Sequence, residues 1–260
     1  VTASPRCSID VENPVNFYLV TGTTKGLGAA LADLLRTDEA NTVVTLSRAP
    51  TTIGRNPNIY ADFGDIACIG PAFAEVQKII VGRSFEQAVL INNAGVVLPV
   101  APFDRLDALA LANNFHVNVT APMLLTGLFA NATRGAARRR LVINISSGAA
   151  KRAIAGWSAY CASKSAIEMA TRVAALEAAQ SDPGLAICSL APGVVDTPMQ
   201  GQIREKTDAD FPDVERFRAM KRDGVLRAAT DVARDMLNLI QHNRLQNGGN
   251  YDIRELLNAH

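Results

Sequence analysis

The chain is poor in the residues that mark several kinds of protein. Its four cysteines, Cys7, Cys68, Cys161 and Cys188, are scattered without a CxxC pair, and only three histidines accompany them. That pattern suggests neither a metal site nor a disulfide framework, and it fits a reduced, intracellular compartment. No apolar run approaches the roughly 20 residues that a membrane-spanning helix needs. The opening VTASPRCSIDVENPVN also lacks the apolar core of a signal peptide. A cytoplasmic protein with no membrane partner is expected, with residues 1–16 a leader outside the main fold. Charge is scarce and balanced: 20% of residues are charged and the net charge is +1, so there is no electrostatic reason to expect nucleic acid as a partner. Arg138, Arg139 and Arg140, with Arg134 upstream, form the one basic cluster and read as a solvated helix end and loop.

What the chain does have is apolar content, 48% over 260 residues, enough for one large core and a single domain from 17 to 260. The runs FYLVT, TVVTL, AVLIN, LVINIS and LAICSLA are short, β-branched and nearly free of interior charge, as strands buried on both faces are. Between them, GLGAALADLLRTDE, AFAEVQKIIV, ANNFHVNVTAPMLLTGLFANATR and SAYCASKSAIEMATRVAALEAAQ repeat apolar residues every three to four positions. Strand and helix in alternation predict an α/β fold, a doubly wound parallel sheet of Rossmann type, with ligands beyond the carboxyl ends of the strands. A charged stretch, 199–226, interrupts this pattern after the last clear strand; it reads as a substrate lid or as a solvated helix pair.

The first strand runs into TGTTKGLG, with Gly22, Gly26 and Gly28 at the turn and a helix opening beside them. Glycine lets backbone approach a pyrophosphate, and a helix N-terminus offers unpaired amides and a positive dipole. At the end of the second strand, where a carboxylate would mark a free ribose 2′-hydroxyl, the chain has Ser47 and Arg48. Arg48 can grip a 2′-phosphate by a charge-assisted bond and Lys25 can add a second positive charge, which favours NADP(H) over NAD(H).

In AGWSAYCASKSAIEM, Tyr160 and Lys164 stand one helical turn apart and share a face. Together with TGTTKGLG, NNAG (92–95), Asn118 in HVNV, NISSG (144–148) and APGVVDT (191–197), they make the chain resemble the short-chain dehydrogenase/reductase family, in order and across almost all of the sequence from Phe17. Within it, GWSAYCASK and APGVVDTPMQGQIR are similar to the sepiapterin reductase and bacterial benzil reductase branch. The resemblance implies a catalytic tetrad of Asn118, Ser147, Tyr160 and Lys164, with Ser147 preferred to Ser146 because it lies thirteen positions before Tyr160. It also implies cofactor contacts from Gly22, Thr24, Lys25, Gly26, Leu27 and Gly28 in the first turn, and from Arg48, Asp62 and Phe63 around the adenosine. Asn92, Ala94 and Gly95 would pass the ribose. Pro192, Gly193, Val195 and Thr197 would hold the carboxamide and pyrophosphate, and Tyr160 and Lys164 the nicotinamide ribose.

The chemistry of these residue types suits reduction of a ketone. A tyrosine, with an ordinary pKa of about 10, can donate the proton that the nascent alkoxide needs when an ammonium beside it favours the phenolate left behind. A serine can hydrogen-bond the carbonyl oxygen as charge develops, and Asn118 is expected to position a water between Lys164 and solvent. Trp157 and Met199 are candidate substrate contacts, Trp157 also reading as packing. Asp252 stands where sepiapterin reductases anchor the pterin, with Glu255 competing and a solvated role open to both. His116 reads as a helix-face residue with a satisfied partner.

The reading is an NADPH-dependent carbonyl reductase of a small ketone or diketone, benzil-like or a pterin side-chain ketone. Its rivals are an NADPH-binding regulator without catalysis, an alcohol dehydrogenase of another substrate class and a nucleotide-sugar epimerase. By resemblance it forms a homodimer or homotetramer through the helices around Asn118 and Tyr160.

Overall fold

A computed structural model describes residues 16–49 and 57–258. The leader expected over 1–16 lies outside the described residues except for Asn16, as does Cys7. The chain alternates β1 (Asn16–Thr21), α1 (Gly26–Arg36), β2 (Asn41–Ser47), β3 (Asn58–Tyr60), α2 (Ile69–Ile80), β4 (Phe85–Asn92), α3 (Ala108–Phe115), α4 (Ala121–Thr133) and β5 (Ala137–Ile145). It continues through α5 (Ser158–Ser181), β6 (Leu185–Ala191), β7 (Val195–Asp196), α6 (Pro198–Arg204), α7 (Val214–Arg222), β8 (Arg227–Ala228), α8 (Ala229–Gln241), β9 (Asn250–Asp252) and α9 (Ile253–Asn258).

Seven strands form one sheet in the order β3-β2-β1-β4-β5-β6-β9, with every neighbouring pair parallel. The expected doubly wound sheet is therefore present. Its strands carry residues such as Leu19, Val44, Leu90 and Val142 to one face, where α2, α4 and α5 contribute Phe73, Phe129 and Ala175. Val20, Ile91, Ile143 and Leu190 point to the other face, against Leu31 of α1 and Met236 of α8. Alternation along each strand thus fills two cores at once, the pattern of a sheet covered on both sides. The strand order reverses direction between β1 and β4, which opens a crevice at their carboxyl ends.

Two features depart from the expectations. A π-helical turn, His116–Thr120, joins α3 to α4 in one long helical segment and carries Asn118 inward. The arginine run is not a solvated loop: Arg138, Arg139 and Arg140 form the first half of β5. Arg140 is buried, with Nη1 donating to Asp182 Oδ2 at 2.8 Å and Nη2 to the other carboxylate oxygen, while Arg138 pairs with Glu86 and Arg139 donates to the Ile240 carbonyl. The first half of β5 is thereby pinned to the end of α5.

Hydrogen bonds from Arg140 hold the Asp182 carboxyl below the usual carboxylate range, despite its partial burial. A depressed folded pKa contributes stability above the unfolded value of about 3.9, and this is lost as pH falls through the folded one. Asp182→Ala should cost roughly 3–5 kcal/mol in urea unfolding, because it strands a buried guanidinium. Replacing both partners with apolar residues of similar volume should cost much less.

Candidate active site

The crevice at the β1/β4 switch holds a cleft of about 360 Å³. Its floor is the turn after β1. Gly22 sits at φ +71°, and a Cβ there would lie 2.7 Å from the Ala94 Cα; a Cβ on Gly28 would lie 2.3 Å from the Gly22 carbonyl oxygen. Both glycines are fixed by close backbone approach, one to the end of β4 and one within the turn itself. The first turn of α1 has no side-chain cap, so its leading amides are free to meet an anion. Thr24, Lys25, Gly26 and Leu27 line the cleft on this side, and Arg48 and Phe63 line it beyond β2. Asp62, also lining, accepts the Gly64 amide on Oδ1 at 3.0 Å. Ser47 caps β2 by donating to Ala49 and Asn58. No carboxylate stands at the end of β2, and the cradle fits a dinucleotide.

Ala94 and Gly95 line the cleft, but Asn92 does not: it is the last residue of β4, buried, with Nδ2 donating to Asn144 Oδ1 at 2.8 Å. The lining residue is its neighbour Asn93, whose amide nitrogen donates to the carbonyls of Thr21 (3.0 Å) and Gly22 (3.1 Å). Gly28 likewise packs behind the turn rather than facing the cleft. The far wall comes from Pro192, Gly193, Val195 and Thr197, the last reaching over Gly26 so that a Cβ there would meet its Cγ2 at 3.2 Å.

At the centre stand Ser147, Tyr160 and Lys164. Ser147 follows the end of β5, and its hydroxyl accepts from the Ala149 amide at 3.2 Å. Ser146 points elsewhere, donating to Glu168 Oε1 at 2.5 Å, which separates the two adjacent serines. Tyr160 and Lys164 lie one turn apart on α5, with the ammonium 5.8 Å from the ring centroid. Burial raises the Tyr160 pKa, partly offset by the Ser147 hydroxyl. Burial also lowers the Lys164 ammonium from 10.5 to about 8, while the Glu168 carboxylate opposes that fall. Lys164 donates to the Ile145 carbonyl at 2.8 Å, leaving two of its three N–H groups for a ligand.

Asn118 does not line the cleft. Its Oδ1 accepts from Val96 N at 2.9 Å, and its Nδ2 reaches Val96 O, Asn114 Oδ1 and Ser163 Oγ. Its amide holds the segment after β4 against the π-turn and α5.

The 199–226 stretch is a helix pair that roofs the cleft: Met199 and Ile203 of α6 and Phe217 and Met220 of α7 all line it. Trp157 lines the cleft while stacking on Phe211 at 4.9 Å and meeting Tyr160 edge-on at 5.3 Å. His116 Nδ1 donates to the Gly64 carbonyl, 3.1 Å away, as a satisfied helix residue. Asp252, expected as a substrate contact, does not line the cleft but binds Arg254, accepting from the backbone N at 3.0 Å and from Nε at 2.9 Å. Arg254 lines the cleft instead, as does Arg152. Glu168 was missed in the sequence, although its place one turn beyond Lys164 could have found it; Arg152 and Arg254 carry no such signal. Among the described residues no group of acidic, cysteine or histidine side chains could hold a metal, and no helix is long and apolar enough to cross a membrane.

A parallel sheet with a glycine cradle at its switch point, and a phenol and ammonium facing the same cleft, define an oxidoreductase of the nicotinamide-dependent kind. A sequence model of the short chain dehydrogenase family matches residues 16–208. The chain is 35% identical over 243 residues to benzil reductase ((S)-benzoin forming) of Bacillus cereus, covering 90% of this chain and 97% of the relative. It is 29% identical over 256 residues to sepiapterin reductase of Rattus norvegicus, covering 92% and 96%. Among solved structures, the KRED1-Pglu enzyme superposes with a TM-score of 0.77 at 26% identity, over 91% of this chain and 100% of that one. 4-Hydroxyisoleucine dehydrogenase complexed with NADH superposes at 0.69 and 20% identity, over 91% of this chain and 96% of that one, a likeness of fold alone. The protein belongs to the short-chain dehydrogenase/reductase family and is an oxidoreductase acting on C=O and CH–OH groups with a nicotinamide cofactor.

The group titrating near 8 should be visible in kcat/KM for the reduced cofactor, which reports ionisations of the free enzyme. Lys164 holds its proton below that pH and loses it above, so the parameter should decline as pH rises through about 8. Glu168→Gln removes the carboxylate that raises Lys164 and should move the decline to lower pH; an unmoved profile would contradict the coupling.

Proposed function

We propose that the protein is an NADPH-dependent reductase of small ketones and diketones, in which Ser147, Tyr160 and Lys164 act on the substrate and cofactor and Asn118 holds their frame. The observation that carries this reading is the convergence of those three side chains on the one cleft that also contains the glycine turn and Arg48. The reduced nicotinamide supplies the hydride. Ser147 donates a hydrogen bond to the carbonyl oxygen, where negative charge grows. Tyr160 gives its proton to that oxygen, and its phenolate is stabilised by the Lys164 ammonium one turn away. The two free N–H groups of Lys164 hold ribose hydroxyls. Lys25 and Arg48, both exposed at the mouth of the cleft, bind the 2′-phosphate. Asp62 has a carboxylate oxygen available to the adenine amine.

The aromatic wall of Trp157 and Phe217, with Met199 and Met220, suits a substrate with an aryl group beside its carbonyl. That agrees with the diketone named for the Bacillus relative and less well with a pterin, since Asp252 is taken up by Arg254. The 199–226 helix pair forms the lid of this chamber within a domain from 17 to 260. A homodimer or homotetramer would cover the exposed Met123, Leu124, Met169, Val173 and Leu176 of α4 and α5.

Tyr160→Phe should bind NADPH, followed by its fluorescence, while reduction of benzil falls by at least the hundredfold typical of lost general-acid catalysis; retained turnover would remove Tyr160 from the mechanism. Arg48→Ala should raise KM for NADPH roughly tenfold or more, the worth of a charge-assisted hydrogen bond, while leaving KM for NADH nearly unchanged.

A further inference from the structure

The cleft carries two guanidinium groups that the mechanism above does not use. Arg254 opens α9 and lies against Gly193, where a Cβ would meet its Cδ at 3.4 Å and its Nε at 3.6 Å. Arg152 follows the Ser147 turn, with Nη2 3.0 Å from the place of a Cβ on Gly148, the residue after Ser147. Both line the cleft. Arg152 stands beside the residue after Ser147 and Arg254 beside Gly193, so the two guanidinium groups reach the same cleft from different segments.

Arg254 is fixed in position. Asp252 takes its Nε–H at 2.9 Å and one Nη2–H, and tucks beneath it: the carboxylate side chain keeps 13% of its surface exposed against 54% for the guanidinium. A guanidinium has five N–H donors and no acceptor, so three remain turned outward. Among the described residues Arg152 forms no ion pair. Arg216 of α7, which also lines the cleft, faces Asp213 at 4.0 Å. The cleft therefore offers donors beside an aromatic wall and close to the hydroxyl that meets the carbonyl. Such a donor set repels the N–H edge of a heterocycle and suits a planar anion, which an arginine fork binds in bidentate fashion.

We propose that Arg254 and Arg152 recognise a carboxylate carried next to the ketone, making aryl α-keto acids a preferred substrate class. The inference rests on the carbonyl-reductase reading of the same site. The carbonyl carbon gains the hydride of the reduced cofactor, its oxygen gains the Tyr160 proton, and the carboxylate leaves unchanged in the α-hydroxy acid.

The test compares benzoylformate with its methyl ester, which share the aryl ketone and differ in charge. For the wild type, kcat/KM should favour the acid by tenfold or more, and raising the salt concentration should weaken the acid and not the ester. In Arg254→Ala and Arg152→Ala the ratio of acid to ester should fall at least tenfold, whatever the absolute rates; Arg254→Lys should restore only part of it. Equal use of acid and ester by the wild type overturns the proposal. So does an unchanged ratio in both variants with a raised KM for NADPH, which would assign Arg254 to the cofactor pyrophosphate. If the wild type reduces neither compound nor benzil, the carbonyl-reductase reading itself fails.

Discussion

A lysine ammonium buried beside a tyrosine is the constraint around which this structure is arranged. Removing a cation from water is costly unless hydrogen bonds and opposite charge replace the solvent. Here the Ile145 carbonyl at the end of β5 takes one N–H, and the Glu168 carboxylate one turn along α5 supplies the opposing charge. Glu168 is itself buried and held from both sides, by Ser146 at 2.5 Å and by Asn250 of β9 at 2.6 Å. The ends of β5 and β9 and the middle of α5 are thus tied through one carboxylate. Any shift of α5 relative to the sheet would break these bonds together, which is how a long helix carries two reactive side chains in fixed register with Ser147.

The same economy of position links the cofactor side to the reactive side. Asn118, carried inward by the π-turn, grips both the N–H and the C=O of Val96. Asn93 grips the carbonyls of the glycine turn. The segment between them, Ala94 and Gly95, is therefore held between the nucleotide cradle and α5. The sheet's switch point opens the crevice; these two asparagines determine how closely its walls approach.

Much of this was legible in the chain because buried parallel strands are written as unbroken β-branched runs. LAICSLA coincides with β6, and the helical segments around Tyr160 and after the glycine turn lie where their periodicity put them. The three-residue strands β3 and β9 have no such run to show. Arg138 to Arg140 read as solvated because the partner that pays for the burial of Arg140 is Asp182, 42 positions away. The choice between Asn92 and Asn93 turns on one residue of strand register: the first still belongs to the ladder and faces the sheet's interior, the second has left it. Asp252 has the right chemistry for a donor-bearing ligand, yet Arg254 two positions on claims it, a competition that geometry alone resolves. The charged stretch left its alternatives open because solvated helix faces and lid helices share one composition, and nothing in the sequence marks Phe217 and Met220 as the residues that line the cleft.

Lys164 is a proton-bearing cation whose burial lowers its pKa toward neutrality. Nitrogen-15 NMR of the Lys164 side chain, followed across pH in the cofactor-free protein, measures that ionisation without any assay of turnover. A titration near 8 rather than at the ordinary 10.5 is expected. A lysine that titrates with the surface lysines would contradict it.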